Sequence, residues 1–138
     1  MNTTSGTMFP SLKYLDAPAA IEWLCSTLKF ERKLVVPGPD NTIAHAQLTL
    51  GSGMIMLGSQ DEGEYGKHIK PPSQIENINT QTTYIYISDI DDHYENATSN
   101  GANIILPLRE EEYGGKHYMC SDPEGYLWSF GSYDPFSN

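Results

Sequence analysis

The chain has 138 residues, 38% of them apolar, and sets eight Lys and Arg against 18 Asp and Glu for a formal charge of −10. That length supports one domain with a sizeable core, or two fused half-modules. The charge argues against a nucleic-acid partner, since phosphate recognition needs a basic footprint that eight Lys and Arg cannot supply. No apolar run is long enough to span a membrane, and residues 1–6 carry neither the basic nor the apolar segment of a signal peptide, so the expectation is a cytoplasmic protein without a membrane partner.

Residues 9–15 form a short strand candidate. Asp16 follows as a helix N-cap with Pro18 in the first turn, where a missing N–H costs nothing. Ile21, Leu24 and Leu28 recur at helical spacing, and the helix decays near Lys29. Strands are expected over 33–36, 42–50 and 54–57, with turns at 37–41 and 51–53. The order is βαβββ. Residues 60–81 are polar, contain Pro71-Pro72 and lack periodicity, so they form a long connection or a lid. Asp61, Glu62, Glu64, His68 and Glu76 lie there at irregular spacing and are expected to be solvated.

Residues 82–87 alternate as a strand. Asp89 caps a second helix with Ile90, Tyr94 and Ala97 on its inner face and Gly101 closing it. A strand over 104–108 precedes a hairpin over 113–131, turned by Asp122-Pro123-Glu124-Gly125. After the turn, Tyr126, Trp128 and Phe130 alternate with Leu127, Ser129 and Gly131, giving an aromatic face for packing and a smaller face that can line a cavity. The second half is again βαβββ. Asp16 falls on Asp89 and Ile21 on Tyr94 at one constant offset, an internal repeat. The boundaries are a first module over about 9–58, a connection over about 59–81 and a second module over about 82–134. Cys25 and Cys120 have no ligand spacing and read as free buried thiols.

Three stretches are distinctive: Tyr14-Leu15-Asp16-Ala17-Pro18-Ala19-Ala20-Ile21-Glu22-Trp23-Leu24; His45-Ala46-Gln47-Leu48 with Gly53-Met54-Ile55-Met56-Leu57; and Tyr113-Gly114-Gly115 running through Asp122-Pro123-Glu124-Gly125 to Trp128-Ser129-Phe130-Gly131. Together they resemble the vicinal oxygen chelate superfamily of glyoxalase I, bleomycin-resistance proteins and extradiol dioxygenases, over nearly the whole chain. The resemblance implies an α+β fold: two βαβββ modules whose cup-shaped mixed sheets face each other, with helices on the outer faces. It also implies a homodimer. In metal-dependent members the ligands are His, Gln or Glu from the first and last strands of each module, positions that fall here on Phe9, Met56, Thr82 and Ser129. None of the four suits a divalent zinc, nickel or iron centre, and Met54, the alternative in register, is no better. No metal cofactor is therefore expected.

His45 and Gln47 share one strand face while Ala44, Ala46 and Leu48 share the other, the small apolar face a helix would cover. His45 is thus expected in the cleft, as a general base, as a ligand in a rearranged metal site, or as a hydrogen-bonded pocket residue. Tyr84 and Tyr86 follow Thr82 on the cleft face, with packing in the sheet or at a dimer interface as the other use; Met54 and Met56 line the opposite wall. The face chosen by His117 and by Tyr118 is open, Trp128 and Phe130 are assigned to the core, and Glu110-Glu111-Glu112 to a solvated loop. Cys120 could act as a nucleophile only if it faced the cleft beside a base.

The expected function is the binding of a small organic molecule, in drug or metabolite sequestration, by His45, Gln47, Met54, Met56, Tyr84, Tyr86 and Ser129; the acidic exterior favours a cationic ligand. The alternative is a lyase, isomerase or dioxygenase using a metal in an atypical site around His45.

Overall fold

A computed structural model describes residues 3–137. The first module comprises β1 (Ser11–Tyr14), α1 (Ala17–Leu28), β2 (Glu31–Pro37), β3 (Ile43–Leu50) and β4 (Gly53–Ser59). The second comprises β5 (Thr83–Tyr86), α2 (Ile90–Ser99), β6 (Asn103–Glu110), β7 (Lys116–Ser121) and β8 (Leu127–Gly131). Each builds a four-stranded mixed sheet, in the orders β1-β4-β3-β2 and β5-β8-β7-β6. The parallel pairs repeat the same register: Ser11 opposes Met56 and Leu12 opposes Leu57, as Tyr84 opposes Ser129 and Ile85 opposes Phe130. The offset read from Asp16 and Asp89 therefore holds through both sheets.

Local chemistry sets the elements. Asp16 accepts a hydrogen bond from Ala19 N–H with Pro18 in the first turn, and the helix ends at Lys29 in the left-handed region at φ 65°. Its inner face buries Ala17, Ala20, Ile21, Leu24 and Leu28, which join Leu12, Tyr14, Ala46, Leu48, Ile55 and Leu57 in the core. Tyr118, Cys120, Trp128 and Phe130 make the matching layer in module two, so the aromatic alternation of β8 is core as expected.

Helix α2 departs from its apolar pattern. Tyr94 is only half-buried, and His93 occupies the inner face at 3% exposure. A histidine can sit there because both ring nitrogens find partners, as buried polar groups require. Nδ1 lies 2.7 Å from the Tyr118 hydroxyl and Nε2 lies 2.9 Å from the Leu28 carbonyl. Asn96 Nδ2 donates to the carbonyls of Ser26 and Thr27. The last carbonyls of α1, which an isolated helix leaves unpaired, are thus satisfied by α2, and the two helices form one layer.

The hairpin turn is the second joint. Asp122, 5% exposed, accepts through Oδ1 from the N–H groups of Glu124 and Tyr126, and through Oδ2 from Tyr14 hydroxyl at 2.7 Å and Trp128 Nε1 at 3.1 Å. The Glu124 carboxylate takes the N–H groups of Leu15 and Asp16, and Tyr126 hydroxyl donates to the Lys13 carbonyl. Gly125 has φ 92°, and a Cβ there would also press on Asn77 and Pro72 of the connection. The connection is not formless: it holds single 3₁₀ turns at Gly66–His68 and Pro72–Gln74, and Asp61 pairs with Lys13 of β1.

Strands β1 and β5 are shorter than the sequence predicts. Phe9 and Thr82 stand just before them, both exposed, because pairing with β4 and β8 starts only at Ser11 and Thr83.

Candidate functional site

Helices cover one face of each sheet and leave the other open. On β3, Ala46 and Leu48 are fully buried, whereas His45 and Gln47 are half-buried on the open side. Antiparallel pairing sets Gln47 beside Met56 and Thr49 beside Met54, and directly opposed residues share a face. The same rule adds Leu34, opposite Gln47, and Val36, opposite His45. The Gln47 amide lies 3.2 Å from His45 Nε2. Among the described residues, no acidic side chain is hydrogen-bonded to either.

The open face of module two is more organised. Tyr84 and Met119 flank Ser129 on the two neighbouring strands, and Tyr86 and His117 flank Gly131. His117 therefore points to the open face, while Tyr118 is buried under α2. His117 Nε2 lies 2.5 Å from Ser129 Oγ, and its Nδ1 lies 4.0 Å from Glu111 Oε1. Arg109 Nε donates to that same carboxylate oxygen at 2.6 Å. Burial is the main influence on the His117 ring and lowers its pKa, against the opposing pull of Glu111.

Tyr84 stacks near-parallel on His117, with ring centroids 6.4 Å apart, and its hydroxyl donates to the Tyr133 carbonyl at 2.6 Å. The ring lies over Gly131, where a Cβ would come within 2.5 Å of the hydroxyl. Tyr133 in turn meets Tyr113 edge-on at 5.3 Å. Tyr84 remains 37% exposed and Tyr86 46% exposed, so both side chains are partly presented to solvent.

Sequence reasoning placed Tyr84, Tyr86 and Ser129 together on one face, and His45, Gln47, Met54 and Met56 on another; the structure groups them in those two sets. Among the described residues no hydrogen bond or ring contact links one set to the other. His117, Glu111, Arg109, Met119 and Tyr133 were missed as members. The signal for His117 and Met119 was present: a hairpin turned at residues 122–125 pairs Met119 with Ser129 and His117 with Gly131, so placing Ser129 on the open face places them too. Glu111 corrects the expectation of a wholly solvated acidic run, since its side chain is only 16% exposed beside His117. Cys120 is fully buried with Tyr118, and burial pushes its thiol up to about 12, so it cannot serve as the cleft nucleophile.

Two hollows lie away from both faces. One of about 240 Å³ sits between β1 and β8 under the connection, lined by Leu12, Ile69, Pro72, Ile78 and Trp128. The other, about 250 Å³, is an apolar notch between Trp23 of α1 and Pro123 of the hairpin turn. On the open faces Tyr84 and Tyr86 are exposed, whereas Ser129 between Tyr84 and Met119 is buried.

The donor set does not fit the divalent metal of metal-dependent relatives. Phe9 has no donor, Met56 offers a thioether, Thr82 a neutral hydroxyl, and Ser129 is already engaged by His117. Among the described residues, no three His, Cys, Asp or Glu side chains converge to hold an ion.

This fold and its paired modules are those of the glyoxalase/bleomycin resistance protein/dioxygenase superfamily, whose family model matches residues 14–130; the chain belongs to that superfamily. It is similar to Mb0911c, an uncharacterized protein of Mycobacterium bovis, at 26% identity over 122 residues, covering 88% of this chain and 80% of that one. Among solved structures it resembles TioX from Micromonospora sp. ML1 with a TM-score of 0.70 and 28% identity, covering 92% and 98% of the two chains. It also shares its fold with a mutant of the fosfomycin resistance protein FosX from Listeria monocytogenes, in complex with Mn(II) and 1S,2S-dihydroxypropylphosphonic acid. There the TM-score is 0.69 at 13% identity, covering 96% of each chain.

Proposed function

We propose that this protein binds a small organic molecule on the open sheet faces, sequestering a drug or metabolite without a divalent metal. The observation that carries this reading is the site equivalent to the superfamily's metal position in module two. It holds Ser129, tied to His117, and beside it stands the exposed ring of Tyr84 with its hydroxyl already anchored. A pre-ordered aromatic face with a few polar groups at its centre is chemistry for holding a planar or cationic molecule. His45, Gln47, Met54 and Met56 supply a second wall of similar character. The charge of −10 raises the local concentration of a cationic ligand.

The faces are open in one chain, and the apolar side chains of Leu34 and Val36 on them are at least 40% exposed. Pairing of two copies would cover such surface, so the binding protein is proposed to be a homodimer. A thermal-shift screen containing basic glycopeptides and glutathione adducts, followed by calorimetry of the hits and light scattering of the protein, tests both statements. Saturable one-to-one binding per chain by a dimer supports them. A screen without a single stabilising compound, or a monomer at all concentrations, overturns the respective statement.

A further inference from the structure

We infer that Ser129 is a nucleophile, with His117 as its base and the Glu111 carboxylate behind it, that takes an acyl group from an activated aryl ester or thioester. This goes beyond reversible binding. The side chains stand in the order that nucleophilic serine chemistry uses: hydroxyl, imidazole, carboxylate. Ser129 Oγ and His117 Nε2 are 2.5 Å apart, inside the reach a base needs to accept the hydroxyl proton. The opposite nitrogen, Nδ1, faces Glu111 at 4.0 Å, and Arg109 holds that carboxylate from its other side. The Tyr84 ring lies near-parallel to the imidazole, with centroids 6.4 Å apart. Burial keeps the ring neutral near pH 7, the form that can accept a proton.

The step balances without any outside reagent. Oγ bonds to the acyl carbon, its proton passes to His117 Nε2, and the bond from the acyl carbon to the leaving group breaks with its electron pair on the phenolate or thiolate. Because β8 is paired on both edges, its backbone N–H groups are committed to the sheet and do not converge on the acyl oxygen. Acylation proceeds without them because the phenolate or thiolate is a good leaving group, whereas loss of the acyl group to water must expel the far more basic serine alkoxide and is slow. The reaction expected is one acylation per chain, not sustained turnover. Ser129 is 7% exposed, and the partly exposed ring of Tyr84 beside it is what an entering ester displaces.

The test uses the purified full chain and p-nitrophenyl acetate. The expected result is release of one equivalent of p-nitrophenolate per chain, with an acetyl group on the peptide bearing Ser129 by mass spectrometry. Ser129→Ala abolishes both, and His117→Gln slows the acylation about 100-fold, the ordinary worth of a positioned base. Circular dichroism confirms that both variants are folded. Absence of acetyl-Ser129, a burst that persists in Ser129→Ala, or an unchanged rate in folded His117→Gln overturns the assignment. Because the reagent is not the sequestered ligand, these outcomes are separate from those of the binding screen.

Discussion

The ring of His93 fastens the two modules together: its Nε2–H donates to the carbonyl oxygen of Leu28 at 2.9 Å while its Nδ1 accepts from the Tyr118 hydroxyl at 2.7 Å. One side chain thus satisfies the end of α1, the underside of β7 and its own burial. It also packs on Phe130, with ring centroids 4.4 Å apart. Replacing His93 by Ala leaves a cavity and a buried hydroxyl without its acceptor, and is expected to cost about 2–4 kcal/mol. Urea unfolding monitored by Trp fluorescence measures it. A cost below about 1 kcal/mol, the size of a surface change, would show that the joint contributes little.

The same residue makes stability depend on pH with a definite sign. Burial holds the folded ring below its ordinary pKa, and a histidine in the unfolded chain takes up its proton near 6.5. As pH falls below about 6.5, the unfolded state binds more protons than the folded one, so stability drops until the lower folded pKa is passed. His117 is shifted in the same direction and adds to the slope. Urea midpoints recorded from about pH 8 down to about pH 5.5 should decline, and His93→Gln should flatten the decline.

Asp122 carries a different kind of joint. Its Oδ2 accepts from both Tyr14 and Trp128, and both donors are buried. Asp122→Ala strands them and is expected to cost about 3–5 kcal/mol, as loss of a buried, multiply bonded carboxylate does. Asp122→Asn rescues little, because two donor pairs face the two ends of the side chain and an amide NH₂ opposes one of them in either orientation. The comparison of the two variants by urea unfolding separates loss of the acceptor from loss of volume.

How far the sequence speaks is visible at these joints. Periodicity and caps place α1, the strands and the repeat, because Asp16, Ile21 and Leu24 act within a few residues of each other. His93 and Asn96 escape such reading: their partners, Leu28, Ser26 and Thr27, lie in the other module, and a polar residue on an inner face looks like a break in the pattern. The open faces are legible through alternation, which puts His45 with Gln47 and Tyr84 with Ser129. The Glu111–His117–Ser129 line is only partly so, since β6 slips in register between Leu106 and Arg109 and no spacing rule predicts where Glu111 lands.

The aromatic face yields a prediction for binding. Tyr84 and Tyr86 have exposed rings and contribute little to the core, so the double change Tyr84→Ala, Tyr86→Ala is expected to abolish binding of any compound found by the screen while leaving the urea midpoint nearly unchanged. Gly131→Ala reaches the same face from beneath, because its Cβ would collide with the Tyr84 hydroxyl and ring, and should weaken binding as well. Unchanged affinity in the double variant would remove these residues from the site.

Metal content discriminates between the sequestration reading and a metal-dependent reaction centred on His45. Protein purified without chelator is expected to hold zinc, nickel, manganese and iron far below one equivalent, and His45→Ala is expected to change nothing. His45 has Gln47 as its hydrogen-bond partner, and neither the exposed Phe9 nor the thioethers of Met54 and Met56 adds a hard donor nearby on that sheet. One equivalent of metal in the wild-type chain, lost in His45→Ala, would reverse the reading.

Thiol chemistry tests the packing of β7. Cys120 is fully buried and its thiol is pushed up to about 12, whereas Cys25 is half-buried on α1. Because the thiolate is the reacting form, a native protein should titrate with a disulfide reagent at Cys25 first, and Cys120 should react only as the chain unfolds. A Cys25→Ser variant isolates the second thiol. Its rate of modification should rise with urea in step with unfolding, and fast modification of Cys120 in the native Cys25→Ser protein would mean that β7 presents Cys120, not His117, to the open face.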